Sequence, residues 1–506
     1  MRVLIASLMC AAVVALGLTA GPVQAATTNA AHPVTTQHSS VGRPPHTVVT
    51  FAWGGGLAGQ MPAVSIMRQY GMHGTYFVPS GLVCTSTASR CAKTSPYLTL
   101  SDVHKIAANG NEIGGLSVLH QKLTKLSTAE VKREVCNDRV NLRRWGTPAT
   151  DFAYPFATAT PALQGVIRQC GYNAGLGAGQ LRGAGRCPTC AYAESIPPRD
   201  PLLVRAPIEV NSLGTVWTPR TFESVVQGAQ RHGGGWVVFL IHNVCPKTCA
   251  YGVTSPVLRT FLAWLQGAQQ RGVAVETMRQ VIGGRIRPAV PGPVAKAIPP
   301  PGVANAQLAQ TTPGGLPSCF QRADYGSNSA SFAYLPAGGP GASSAEQLRV
   351  TNWQSGEAKL LQSMDLGQCA PQVKSGASYT VGTTYKSNVP ARIEVYYRTA
   401  VGNWVYWATS PPMPATTSWS KASWTTPAVP AGATGMSFGL AATSNATIIT
   451  TAYTMAPAKS HRSEILLGIL AVVLIGGALI ARGQYRYIKH TRAEEAAAQR
   501  DQVRTG

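Results

Sequence analysis

The chain has 506 residues, of which 12% are charged, and a formal net charge of +23. The excess of positive charge comes from scarce acidic residues rather than from dense basic runs, and the sequence contains no recognisable nucleic-acid-binding module. These features argue against a nucleic-acid partner. They leave attraction to anionic wall polymers or lipid headgroups, or simply a soluble basic surface, as explanations of the charge.

The amino-terminal segment has the pattern of a secretory signal peptide. Arg2 is followed by a mostly apolar run over residues 3–18, and the segment ends in Val-Gln-Ala at residues 23–25. We therefore predict that residues 1–25 are a signal peptide, that cleavage follows Ala25, and that the mature chain is exported.

The next elements predict a βαβ unit. Residues 47–51 are β-branched and apolar, which predicts a buried strand that continues through Ala52 and Trp53 into three glycines. A largely apolar stretch over residues 57–70 predicts a helix, and a glycine ends it before a second strand at residues 75–78. No carboxylate stands at the tip of the first strand.

Four further blocks follow along the chain. They are residues 110–120 (GNEIGGLSVLH), 123–127 (LTKLS), 152–156 (FAYPF) and 238–242 (VFLIH). Together with the first strand, their order and spacing resemble the polysaccharide deacetylase family, the NodB homology domain, which is similar to carbohydrate esterase family 4. The resemblance covers residues 46–285 and implies an α/β fold with a deacetylase-type (β/α) barrel.

The resemblance also implies metal-dependent chemistry, and this sequence departs from it. In the family pattern one aspartate is the general base, while a second aspartate and two histidines hold a divalent metal such as zinc. The base position falls on Ala52, and the three ligand positions fall on Trp53, Leu116 and His120. The base and two of three ligands are therefore missing. His120 is the sole retained ligand position, and we expect no bound cofactor.

Two more family positions bear on catalysis. The arginine that orients the base falls on Ala153, and the aspartate-tryptophan motif that follows it has no clear counterpart. His242 matches the histidine that protonates the leaving amine, so it holds the general acid position. Other acidic residues could in principle replace the missing base or metal ligands, although nothing in their spacing singles them out. They are Asp102, Glu112, Asp138 and Asp151.

The retained side chains have alternative interpretations. His120 is either a metal ligand or a groove residue that bonds a backbone carbonyl. His242 either donates a hydrogen bond to a sugar or is structural. Trp53, Tyr154 and Phe156 are candidate substrate-binding residues that stack on sugars, with core packing as the alternative for each.

The cysteines predict disulfides in an oxidising compartment. Eleven are present, and removal of Cys10 with the signal peptide leaves an even number. The candidate pairs are Cys84 with Cys91, Cys187 with Cys190, Cys245 with Cys249 and Cys319 with Cys369, which leaves Cys136 with Cys170. Spacing alone leaves this pairing open. The CxxC at residues 187–190 also has the form of a redox or zinc motif, and a loop disulfide is the favoured interpretation.

A change of composition divides the chain after the first domain. Residues 286–317 contain repeated prolines and predict an extended linker. Residues 318–457 contain β-branched and aromatic runs, such as 378–385 and 391–398, and predict an all-β sandwich. The aromatic residues at 396–407 resemble those of carbohydrate-binding jelly rolls, with sheet packing as the alternative.

The carboxyl-terminal region has the pattern of a membrane anchor. Residues 465–481 form a run of 17 apolar or glycine residues, at the lower limit for a transmembrane helix. A buried core helix is the alternative. Residues 482–506 begin with several basic residues, which predicts a cytoplasmic tail. We therefore expect a single-pass protein of the cell membrane with extracellular amino-terminal domains.

These patterns together predict a membrane-anchored extracellular protein similar to polysaccharide deacetylases. We expect it to be catalytically impaired and to bind cell-wall or other N-acetylated glycan. The alternative is an active polysaccharide N-deacetylase, a hydrolase of carbon-nitrogen bonds other than peptide bonds in carbohydrate metabolism. The partners implied are extracellular or cell-wall polysaccharide and a membrane.

Overall fold

The structure is a computed structural model that describes residues 47–85, 95–296, 298, 302–458, 480–486, 489, 491 and 492. The described residues belong to one compact unit that begins at Pro45. The predicted signal peptide, residues 1–25, lies outside the described residues, as does Cys91.

A parallel sheet forms the centre of the first domain. Its strands are β1 (Thr47–Trp53), β2 (Thr75–Val78), β3 (Glu112–Gly115), β4 (Asp151–Ala153), β5 (Ala174–Leu176), β6 (Gly235–Ile241) and β9 (Val273–Val275). The order is β5-β4-β3-β2-β1-β6, and β9 also pairs with β1. Two short strands, β7 (Asn243–Cys245) and β8 (Gly252–Thr254), form a separate parallel pair.

Seven α-helices of the described residues accompany this sheet. They are α1 (Met61–Gln69), α2 (Leu100–Ala108), α3 (Thr128–Arg144), α4 (Pro161–Gln169), α5 (Pro219–Arg231), α6 (Ser255–Gln269) and α7 (Met278–Ile282). Threonine side chains begin α2 and α5, where Thr99 and Thr218 each form a capping box. These local signals explain why the helices start where they do.

Strand β1 is buried along its whole length because both of its faces are covered. Val49, Phe51 and Trp53 belong to a large hydrophobic core that includes residues of the surrounding helices. Val48 and Ala52 belong to a smaller core on the other face of the sheet. The alternation of side chains along a strand therefore separates Ala52 from Trp53.

The sheet is a half-barrel, and the predicted (β/α) barrel is corrected accordingly. In the described residues, no strand joins β5 directly to β6. An irregular segment lies between them instead, where Val204 forms a bridge with Leu176 and the amide of Val210 donates to the carbonyl of Leu240 at 3.0 Å. Pro207 lies within this segment, and its lack of an amide hydrogen prevents a continuous ladder.

The disulfides match the candidate pairs as far as the described residues extend. Cys136–Cys170, Cys187–Cys190, Cys245–Cys249 and Cys319–Cys369 are bonded. Cys84 is also disulfide-bonded. The CxxC motif is thus a disulfide, and the bond between Cys136 and Cys170 joins α3 to the residue that ends α4.

The first part of the predicted linker lies along α3. The guanidinium of Arg139 donates to the carbonyls of Arg287 at 2.7 Å and Pro288 at 2.8 Å, and Arg133 donates to the carbonyl of Pro293 at 2.9 Å. Residues 287–293 are therefore held against the first domain instead of extending freely.

The carboxyl-terminal region contains two five-stranded antiparallel sheets. The first has the order β10 (Phe320–Tyr325), β13 (Glu357–Gln362), β18 (Gly435–Ala442), β15 (Arg392–Arg398) and β16 (Trp404–Thr409). The second has the order β11 (Ser329–Leu335), β12 (Ala345–Thr351), β19 (Ala446–Pro457), β14 (Tyr379–Ser387) and β17 (Thr416–Thr425). Both sheets contribute to one hydrophobic core. Contacts with α3 include the bond from Asn141 to the carbonyl of Val401 at 3.1 Å.

The expectation of a membrane anchor is corrected. Across the part of the chain that the structure describes, no helix has the length and apolar character needed to cross a membrane. Of the predicted span, residues 465–479 lie outside the described residues, and the helical residues that follow include Arg482 and Arg486. The 17-residue run is at the lower limit for a span, and charged residues follow it directly. The transmembrane helix, the single-pass localisation and the membrane partner are not supported.

Candidate functional site

A cavity of about 470 Å³ opens at the carboxyl ends of the parallel strands. Ligand sites of such sheets lie at this edge, because side chains from several strand ends converge there. The cavity is lined by Gly54, Gly55, Leu57, Leu116, His120, Ala153, Tyr154, Phe156, Ala157, Glu209, Leu240, His242, Asn243, Ala250 and Tyr251. Four of the five predicted site residues are among them.

His242 follows β6 and is held by its backbone. Its amide donates to the carbonyl of Tyr251 at 2.6 Å, and its carbonyl accepts from the side chain of Gln60 at 3.0 Å. A Cβ atom at Gly54 would lie 3.0 Å from Nε2 of His242, so a larger residue there would press on the imidazole. The first strand therefore ends in glycine where the ring approaches.

The imidazole of His242 is neutral at neutral pH. Burial and, to a smaller extent, the charge of His120 lower its pKa to about 4. Its Nδ1 atom is buried without a hydrogen-bond partner in the structure. The ring thus has a nitrogen atom in the cavity wall that forms no hydrogen bond in the structure. At pH 7 only about one molecule in a thousand carries the protonated imidazole.

His120 lies opposite on a strained loop after β3. Its φ of 54° is in the left-handed region, and its amide donates to Oγ of Ser117 at 3.0 Å. The imidazole packs on the ring of Phe156, with 5.0 Å between ring centroids, and burial lowers its pKa. Two buried carboxylates support this loop, because the amides of Leu116 and Leu119 donate to Asp138 and Glu134.

Tyr154 and Phe156 of the FAYPF block contribute differently to the cavity. Tyr154 is only 3% exposed, and its hydroxyl donates to the carbonyl of Leu202 at 2.7 Å. Phe156 is 59% exposed and has a φ of 57°. Tyr154 is therefore part of the packed wall, whereas Phe156 offers an aromatic face at the rim.

Trp53 does not line the cavity. It is 0% exposed and stacks on Tyr76, with 5.9 Å between ring centroids, in the core that includes the helices. The suggestion that Trp53 stacks on a sugar is corrected for this reason. Ala52 faces the opposite side of the sheet, in the core that contains Leu116, Ala153 and Leu240.

These residues do not fit the divalent metal that the resemblance implies. Ala52 and Leu116 supply only aliphatic carbon, and Trp53 points away, so His120 is the one donor left among the ligand positions. Within the described residues, no group of three histidine, cysteine, aspartate or glutamate side chains could hold a metal ion.

The other acidic residues do not restore the missing donors. Asp102 caps α2, and Asp138 is buried beneath the loop of His120. Glu112 and Asp151 begin β3 and β4, at the opposite edge of the sheet from the cavity. Burial and the adjacent Glu112 raise the pKa of Asp151 well above its ordinary value.

Glu209 and Tyr251 are among the cavity residues that sequence reasoning missed. Glu209 comes from the irregular segment between β5 and β6, and Tyr251, which is 42% exposed, precedes β8. Burial raises the pKa of Glu209. Neither residue belongs to a block with recognisable spacing, so only the tertiary structure brings them to the site.

Comparison with known proteins agrees with this architecture. Residues 43–175 match the family model for polysaccharide deacetylase. This part of the chain is therefore similar to the polysaccharide deacetylase domain of the NodB type. A comparison with curated proteins finds no match.

Several solved structures are similar to part of the chain. A putative polysaccharide deacetylase from Mycobacterium smegmatis shares 15% identity and a TM-score of 0.34, covering 51% of this chain and 96% of that one. A family 4 carbohydrate esterase from Streptomyces lividans in complex with acetate shares 15% identity and a TM-score of 0.29, covering 50% and 99%. An arabinose-bound α-L-arabinofuranosidase shares 16% identity and a TM-score of 0.25, covering 31% of this chain. The chain spans only 26% of that enzyme's length.

Proposed function

We propose that this chain is an exported deacetylase-like protein that binds cell-wall or other N-acetylated glycan and does not deacetylate it efficiently. One observation carries the proposal: the cavity has aromatic and imidazole groups suited to a sugar, while aliphatic side chains occupy the base position and one metal-ligand position. Export rests on the signal-peptide pattern and on the disulfides, which are typical of oxidising compartments.

Glycan binding is supported by the kinds of groups that meet in the cavity. Phe156 and Tyr251 expose aromatic faces, on which the apolar face of a sugar ring can stack. His120, His242 and Asn243 supply polar atoms in the same cavity. A mostly apolar pocket with a few convergent polar groups is the usual form of a small-ligand site.

Loss of activity is supported by three features of the same site. The base position is Ala52, and loss of a general base removes a contribution of about 10²–10⁴ in rate. The metal ligands are reduced to His120. The low pKa of His242, about 4, leaves little imidazolium to protonate a leaving amine at neutral pH.

The test measures binding, acetate release and metal content on the same preparation of the full chain. We expect the protein to sediment with insoluble N-acetylated glycan, to release no acetate above the background, and to contain no stoichiometric zinc, cobalt or nickel. Salt should weaken only the electrostatic part of the binding.

Each arm has a result that would overturn it. Acetate release with one tightly held metal ion per chain, both lost in His120→Ala, would establish the alternative, an active polysaccharide N-deacetylase. Failure to sediment with glycan at any salt concentration would reject glycan binding.

A further inference from the structure

The charge of the cavity is opposite to that of the whole chain. Among the described residues that line it, Glu209 is the only acidic one, and burial lowers the pKa of the two histidines. No lysine or arginine is part of the described lining. A chain with a net charge of +23 thus has an acidic cavity at the end of its parallel sheet.

The carboxylate of Glu209 is uncommitted. In the described structure, no hydrogen bond or ion pair involves its side chain, and burial alone raises its pKa. Glu194, earlier in the same segment, is different, because Arg205 donates to its carboxylate at 2.7 Å. A cationic donor from a ligand would pair with this carboxylate and favour its charged form.

The surroundings of Glu209 specify the rest of such a ligand. The exposed rings of Phe156 and Tyr251 suit the flat apolar face of a sugar. Leu116 at a metal-ligand position, Ala153 at the arginine position and the nearby Leu240 form an aliphatic part of the cavity wall. The cavity therefore combines aromatic rings on which a sugar can stack with one carboxylate that can bind a cationic group.

We propose that this cavity prefers glycans with free amino groups, that is, de-N-acetylated hexosamine units, whose ammonium pairs with the carboxylate of Glu209. This inference rests on the proposed glycan binding and deepens it. It makes the protein a receptor for the product of N-deacetylation, so the reaction that supplies its ligand would be performed by a different, active deacetylase.

The test uses titration calorimetry to compare the affinities of two oligomers for the full chain. One is a β-1,4-linked hexamer of glucosamine, and the other is the matching hexamer of N-acetylglucosamine. At pH 6 the amine is protonated, and at about 150 mM salt the Debye length of about 8 Å screens the repulsion between a cationic oligomer and the basic protein. We expect the glucosamine hexamer to bind about tenfold more tightly, as one charge-assisted hydrogen bond would provide.

Two variants separate the local ion pair from the overall charge. Glu209→Gln keeps the side-chain shape and should abolish the preference, and circular dichroism of the variant checks that it is folded. Glu223→Gln, on α5 and outside the cavity, changes the net charge by the same amount and should keep the preference.

The outcomes distinguish this inference from the proposed function. Equal binding of both hexamers, tighter binding of the N-acetylated hexamer, or a preference that survives Glu209→Gln would refute the inference and leave glycan binding intact. Binding of neither hexamer would refute both.

Discussion

Replacement of Trp53 tests whether this residue belongs to the core or to the cavity. Its indole is 0% exposed and stacks on Tyr76 at 5.9 Å between centroids. Trp53→Ala leaves a void in this core, and truncation of a buried aromatic residue costs about 3–5 kcal/mol. A domain of this size loses about 2–4 °C in melting temperature per kcal/mol, so we expect a fall of about 6–20 °C.

The assay is thermal unfolding of the wild type, Trp53→Ala and Trp53→Phe, followed by circular dichroism. Trp53→Phe keeps an aromatic ring against Tyr76, and it should cost only about 1–2 kcal/mol. Binding of N-acetylated glycan, measured at a temperature where all three proteins are folded, should be unchanged. A Trp53→Ala variant with wild-type stability and weakened glycan binding would refute the core assignment.

Two further predictions concern the cavity and its support. Burial raises the pKa of Glu134 to about 7, and one of its carboxyl oxygens has no partner in the structure. Between pH 4.5 and 7 the folded protein therefore holds a proton that the unfolded chain has lost, so its stability should fall with rising pH by up to about 1.4 kcal/mol per unit. Denaturant unfolding of Glu134→Gln should show a shallower pH dependence, and an identical slope would contradict this role. Phe156→Ala should weaken glycan binding about 2–10-fold, since an aromatic contact contributes about 0.5–1.5 kcal/mol. Tyr325→Ala, which removes a 74% exposed ring of the second domain, is the matched control, and equal losses in the two variants would argue against the cavity.

Local sequence determined the elements that position the site. The β-branched residues of β1 predict a buried strand that runs into three glycines, and the cavity lies at that end of the strand. Histidines 120 and 242 were identified because the blocks that contain them resemble those of the polysaccharide deacetylase family. The disulfide between Cys187 and Cys190 joins residues that are close in sequence, and the predicted export of the chain favoured it over a redox or zinc motif.

The direction in which Trp53 points was decided by the tertiary structure. Strand β1 is buried on both faces, so its sequence has no alternation of polar and apolar residues to show which face meets the cavity. The position of Asp151 also could not be predicted from the sequence. It is buried at the end of β4 that lies away from the cavity, and this depends on the pairing of β4 with its neighbours.

Glu209 and Tyr251 reach the cavity only because distant parts of the chain fold together. Glu209 comes from the irregular segment between β5 and β6. Tyr251 is held at the cavity by the hydrogen bond that the amide of His242 donates to its carbonyl. Local periodicity predicts which residues form a strand or helix, because it reflects contacts between near neighbours. The acidic character of the cavity depends instead on contacts between segments far apart in sequence, which no local pattern encodes.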